Sequence, residues 1–212
     1  MIKGIVFDFD GTIVDSTNMV FKVLNDALKK RSLPTIEIEL LGRMSGLPVG
    51  DIVNTKTYIS ESAAKEIEKD VFDAYTVFCR TSCQLLPQVE NTLKTLKSKH
   101  IKIGLLTATP SKSLKAVAEK FSLNDYFDII LAKGDAKNKP DPEGLEKIIT
   151  EFGIEKDECL YVGDSPIDIL TGKAAGIKTI AVTTGLATIQ QLKEAKPDKI
   201  IPNLDKLLTY VN

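Results

Sequence analysis

The chain has no tryptophan, a single histidine, three cysteines and no apolar run long enough to span a bilayer. Each shortage removes a class of function. A histidine relay would rest on His100 alone, and His100 closes the basic stretch "TLKSKH", where a solvated helix cap is the expected role. Cys79, Cys83 and Cys159 are an odd set without the paired spacing of zinc ligands, so reduced thiols are expected. Excess charge is lacking too: 28 basic against 29 acidic residues leave a net charge of -1. That balance gives no reason to expect nucleic acid or an anionic membrane as partner, although a local cluster can still bind a small anion. Lys3 followed by an apolar run broken at Asp8 does not make a signal peptide, so a cytoplasmic protein is expected.

What the chain does have is an alternation. "IKGIVFDF" (2–9), "IKIGLLT" (101–107), "FDIILA" (127–132), "CLYVGD" (159–164) and "KTIAVTT" (178–184) read as buried parallel strands. Helical patterns lie near 89–99, 111–121, 142–152 and 166–175, with more near 188–195 and 203–211. This spacing predicts an α/β fold, a Rossmann-like parallel sheet with helices on both faces, formed by 1–14 and 85–212. Residues 15–84 break the alternation. "STNMVFKVLNDALKKR" and "SESAAKEIEKDVFDAYTVFCRTSC" are amphipathic helices without an intervening strand, which predicts an inserted helical cap subdomain.

In such a sheet, ligands bind beyond the carboxyl ends of the strands. Asp8 and Asp10 follow the first apolar run, Thr107 and Thr109 the second, Lys137 and Lys139 the third, and Asp164 and Asp168 the fourth. Residues two apart on a strand share a face, so Asp8 and Asp10 address one site if the strand persists to them. Singly, each has a plain structural reading: a turn at Asp10-Gly11, a helix N-cap at Asp164-Ser165-Pro166, a solvated loop at "KPDP". Together, carboxylates crowded at one edge call for a hard divalent cation, and oxygen-only ligands suit Mg²⁺. A cation beside a lysine and hydroxyls makes a phosphate site.

These residues resemble the haloacid dehalogenase superfamily, and within it the phosphoglycolate phosphatase and β-phosphoglucomutase-like group. "DFDGTIVDS" resembles its first motif, Thr107 its second, Lys139 in "KPDP" its third and "GDSPID" its fourth. The resemblance implies a phosphatase for a small phosphorylated metabolite, with phosphoglycolate the first candidate. It makes Asp8 the nucleophile, Asp10 the acid and base, and Thr107 and Lys139 the phosphate binders. Mg²⁺ would be held by Asp8, the Asp10 carbonyl and Asp164, with Asp168 as ligand or as an anchor behind the ligands.

An acid at Asp10 disfavours dehalogenation, because halide leaves without a proton and an alkoxide does not. Val20 stands where the mutases carry a histidine, which disfavours a mutase; Ala108 replaces a frequent asparagine in the second motif. "LLGRMSGLPVGD" resembles the specificity segment of the group, making Arg43 the candidate partner for a second anionic group on the substrate, or else a surface arginine. Lys56 reads as a solvated lysine. Pyrophosphate hydrolysis and a non-catalytic phosphometabolite-binding protein are the alternatives, and the chain is expected as a monomer or homodimer.

Overall fold

The structure, a computed structural model, describes residues 1–211. Its framework is a parallel six-stranded sheet in the order β3-β2-β1-β4-β5-β6. The strands are β1 (Gly4–Phe7), β2 (Lys102–Leu106), β3 (Ile129–Leu131), β4 (Cys159–Gly163), β5 (Lys178–Val182) and β6 (Lys199–Ile201). β1 and β4, at the centre, are buried throughout, as strands covered on both faces must be. The chain runs outward from β1 to β3 on one side, then returns to β4 and runs outward on the other. The switch between β1 and β4 is the crevice where open sheets of this kind bind ligands.

Helices α5 (Val89–Ser98), α6 (Ser111–Phe121), α7 (Glu143–Phe152), α8 (Pro166–Ala175) and α9 (Ile189–Ala195) flank the sheet. Two apolar clusters hold it from opposite faces. One gathers Ile5, Phe7, Leu93, Ile103 and Val162, the other Val6, Leu145, Ile148, Phe152 and Tyr161. Alternate residues of β1 thus point into different cores, the period of a strand. The segment between β1 and α5 carries α1 (Thr17–Lys29), α2 (Ile38–Met44), α3 (Val49–Val53) and α4 (Glu61–Thr81), with a cluster of its own around Leu24, Leu28, Ile36, Ile52 and Ile67. Lys56 lies there against Glu37 at 2.7 Å. Among the described residues no helix is long and apolar enough to cross a membrane.

The structure departs from the sequence expectations in two places. β6 was not expected: its three residues between Pro197 and Pro202 are too few to show a period. The helix expected over 203–211 is present, as a 3-10 helix over Leu204–Tyr210. β1 ends at Phe7, so strand alternation does not carry Asp8 and Asp10 to a common place. A tight turn does. The amides of Thr12, Ile13 and Val14 all converge on the Phe9 carbonyl, and Gly11, at φ 76°, takes a backbone conformation that a Cβ resists.

Candidate active site

Asp8 still holds the sheet by one bond, its amide donating to the Val162 carbonyl at 2.8 Å. That bond carries the Asp8 carboxylate to the rim above β1, beside Asp164 at the end of β4. Asp8, Asp10, Thr107 and Asp164 line one cavity of about 100 Å³, roofed by α1, α2, α3 and α4. Lys139 and Asp168 sit directly behind Asp8. Five of the six are almost sealed from solvent, and of the charged ones among them Asp8 is 7% exposed, Lys139 5%, Asp164 2% and Asp168 1%. Charges buried to that degree need partners.

Lys139 supplies the central one. Its Nζ donates to Asp8 Oδ1 at 2.5 Å and to Asp168 Oδ1 at 2.7 Å, and stands 5.6 Å from the centre of the Tyr161 ring. "KPDP" is therefore not a solvated loop at its lysine. Burial alone would push the Lys139 ammonium down, but the carboxylates of Asp168 and Asp8 outweigh it and hold the group well above its usual range.

Asp168 has no free oxygen. Its Oδ1 also accepts from the Tyr161 hydroxyl at 2.8 Å, and its Oδ2 accepts from the Ser165 amide at 3.1 Å and hydroxyl at 2.6 Å. Ser165 Oγ in turn accepts from the Asp168 amide at 3.2 Å, a reciprocal cap with Pro166 in the first helical position. The stretch is thus a helix N-cap whose Asp168 also faces Lys139.

Asp10 has neighbours of another kind. Its Oδ1 accepts from the Ser16 hydroxyl at 2.6 Å and from the Tyr75 hydroxyl, and its Oδ2 from the Thr109 hydroxyl. Tyr75 and Tyr161 were not singled out in the sequence. Each occupies an apolar position of its helix or strand, and nothing in that periodicity reveals where the hydroxyl ends. Thr107 Oγ1 accepts from the Thr109 amide at 3.0 Å.

Asp164 lies against glycine. A Cβ on Gly185 would fall 1.6 Å from Asp164 Oδ2, and one on Gly11 would fall 2.6 Å from it. Its Oδ1 accepts one long bond, 3.4 Å, from Thr12 Oγ1. Oxygens of Asp8, Asp164 and Asp168 lie within 4.8 Å of one another, and this buried, all-oxygen set fits a hard divalent cation.

Arg43 does not join these residues. It closes α2 with its guanidinium on Glu194 at 3.0 Å, half exposed and away from the cavity. His100, at the left-handed end of α5, is also remote. Cys79, Cys83 and Cys159 are buried and unpaired with one another as disulfides.

Burial pushes the Asp8 carboxyl up to about 7, with Lys139 pulling against the neighbouring carboxylates, and burial together with Asp8 and Asp168 pushes Asp164 well up. The metal-free protein should therefore lose stability as pH rises. Both carboxyls keep their protons in the fold at pH values where the unfolded chain has released them. Their contribution is fully present below about 4 and is lost as pH climbs through the folded values, about 7 for Asp8. Thermal melts in EDTA from about pH 5 to about pH 8 check this; a Tm that rises across that window would refute it.

A family profile described as haloacid dehalogenase-like hydrolase matches residues 5–182. A phosphoglycolate phosphatase of Photorhabdus laumondii is 30% identical over 217 residues, spanning 99% of this chain and 92% of the relative. A Clostridium perfringens protein provisionally named pyrophosphatase PpaX is 32% identical over 216 residues, spanning 100% and 98%. Among solved structures, a haloacid dehalogenase-like hydrolase of Bacteroides fragilis, so named provisionally, superposes with a TM-score of 0.88 at 27% identity, over 98% of this chain and all of its own. A protein of Haemophilus somnus described as a predicted phosphoglycolate phosphatase superposes with a TM-score of 0.84 at 25% identity, over 100% and 98%.

Proposed function

The chain belongs to the haloacid dehalogenase-like hydrolases and is a phosphatase of that family, and from this premise we propose that it hydrolyses a small phosphate monoester through a phosphoryl-Asp8 intermediate, with Mg²⁺ as cofactor. The observation that carries the reading is the contrast between two carboxylates two residues apart in one cavity. Asp8 faces an ammonium, and Asp10 faces three hydroxyls. Environments that differ this much give two carboxyl groups two roles.

Asp8 attacks phosphorus, and the bond from phosphorus to the ester oxygen breaks. Asp10 gives its proton to the departing alkoxide. The Asp10 carboxylate then takes a proton from water, whose oxygen attacks phosphorus and displaces the Asp8 carboxylate as inorganic phosphate forms. The proton gained from water leaves Asp10 ready for the next ester. Thr107 and Lys139 hold the phosphoryl oxygens and offset their charge. Ser16, Thr109 and Tyr75 fix the Asp10 carboxyl against the ester oxygen.

Asp8, Asp164 and the main-chain carbonyl of Asp10 would hold the metal. Both oxygens of Asp168 already have two donors each, which supports its role as an anchor for Lys139 over that of a ligand. Mg²⁺, when bound, keeps the attacking carboxylate ionised and draws charge from the phosphoryl oxygens. The helices between β1 and α5 act as the cap that closes on the site and excludes water. Val20 lines the cavity from α1, and its side chain can move no proton, which argues against a mutase.

Phosphate release from p-nitrophenyl phosphate, with and without Mg²⁺, tests the reading. Wild type should turn over only with metal, and Asp8→Asn should fall by at least about 10³-fold. Full activity in Asp8→Asn would mean that another group is the nucleophile. The names of the relatives make phosphoglycolate and pyrophosphate the first metabolites to try.

A further inference from the structure

The cavity has two unlike halves. Its floor is the polar set around Asp8, Asp10, Thr107 and Asp164; its roof is Val20, Val23, Leu41, Ile52, Val71 and Phe72, drawn from all four helices of the inserted segment. Among the described residues no lysine, arginine or histidine lines it. Lys139, behind Asp8, serves the phosphoryl end, and two cations beside the roof residues are paired elsewhere. Arg43 pairs with Glu194, and Lys133 lies 5.4 Å above the Phe72 ring while pairing with Glu68 at 2.9 Å. The hydroxyls of Thr17 and Ser45, the Gly46 backbone and Tyr75, whose hydroxyl is taken by Asp10, interrupt the roof.

Resting on the phosphatase reading above, we propose that the physiological substrate is a phosphate monoester of a small, uncharged, largely hydrocarbon alcohol. Such a substrate matches both halves. Its phosphoryl group meets the charged floor, and its carbon skeleton removes apolar surface from water against the roof. A second anionic group, as in phosphoglycolate or pyrophosphate, would be stripped of water opposite Val, Leu, Ile and Phe side chains with no cation to receive it. At about 100 Å³ the space is far below the roughly 300–1,000 Å³ of clefts for drug-sized ligands, so the alcohol is one of few carbon atoms. One hydroxyl on it would find Thr17 or Ser45. The inserted helices therefore select by exclusion of charge.

The test compares kcat/KM for n-propyl phosphate and isobutyl phosphate with 2-phosphoglycolate and pyrophosphate, using the metal-loaded wild type and p-nitrophenyl phosphate as control. The alkyl esters should exceed both competitors that carry a second anionic group by about 100-fold or more. A lysine placed in the roof by Val20→Lys should narrow the gap to phosphoglycolate by about tenfold or more, through gain on phosphoglycolate and loss on the alkyl esters. Circular dichroism establishes that this variant folds, and the wild-type ranking decides the matter if it does not. Phosphoglycolate or pyrophosphate turned over as fast as the alkyl esters would overturn the inference and leave the phosphatase reading intact. Failure on every compound, the nitrophenyl ester included, would overturn both.

Discussion

Replacing Lys139 by methionine is expected to cost both folding and turnover more than any other single change behind the site. The ammonium is 5% exposed and neutralises Asp8 and Asp168 at 2.5 and 2.7 Å. Without it, two carboxylates and the Tyr161 hydroxyl face one another almost sealed from solvent. Removing one partner of a buried ion pair costs about 3–5 kcal/mol, because the remaining charge has lost its compensation. For a chain of this size that is a fall in Tm on the order of 10 °C. The loss should be largest near pH 8 in EDTA and shrink toward pH 5, where Asp8, pushed up to about 7 mainly by burial, carries a proton in either protein. Turnover should fall by about 10²–10³-fold, the usual consequence of deleting a group that stabilises transition-state charge. A variant with wild-type Tm at pH 8 would show that Asp168 and Asp8 do not depend on Lys139.

Asp10→Asn should produce an enzyme that starts and then stalls, depending on the ester. An alkyl ester has a poor leaving group, so the first step needs the proton, and turnover should drop by about 10²–10⁴-fold with no early phase. Nitrophenolate leaves without protonation. With p-nitrophenyl phosphate the variant should release one nitrophenolate per active site in a burst and then slow, because water now lacks a base to activate it against phosphoryl-Asp8. Stopped-flow absorbance reads both phases. Equal losses on the two esters with no burst would assign Asp10 to positioning and not to proton transfer.

Much of this arrangement could be read from residue order. The strand ends after β1, β2 and β4 bring their polar residues to one edge because parallel strands all point the same way, and the alternation of strand and helix reveals that direction. Lys139 was legible for the same reason, although its loop reads as solvated when taken alone. What the order of residues conceals is where long side chains end. Tyr75 sits on a helix 65 residues after Asp10 and meets it only because α4 packs against α1 and α6 above the strand ends. Arg43 fails in the opposite direction: its segment lies against the cavity through Leu41, Ser45 and Gly46, yet the arginine turns one helical step away toward α9. A resemblance between loops fixes the segment, and the side chain's direction is decided by helix phase.

The order of strands in the sheet also sets when in the life of the chain the site can exist. β1 carries Asp8 and is synthesised first, yet its two neighbours in the sheet begin at Lys102 and Cys159. The partners of Asp8 are equally remote, Lys139 at a separation of 131 residues, and Lys139 in turn needs Asp168. Contacts of such range carry a loop-closure cost that slows folding. A nascent chain that has reached the middle of its length thus holds Asp8 without Lys139, Asp164 or Asp168. The site is complete only once β4 has docked beside β1, so the return of activity during refolding reports that contact.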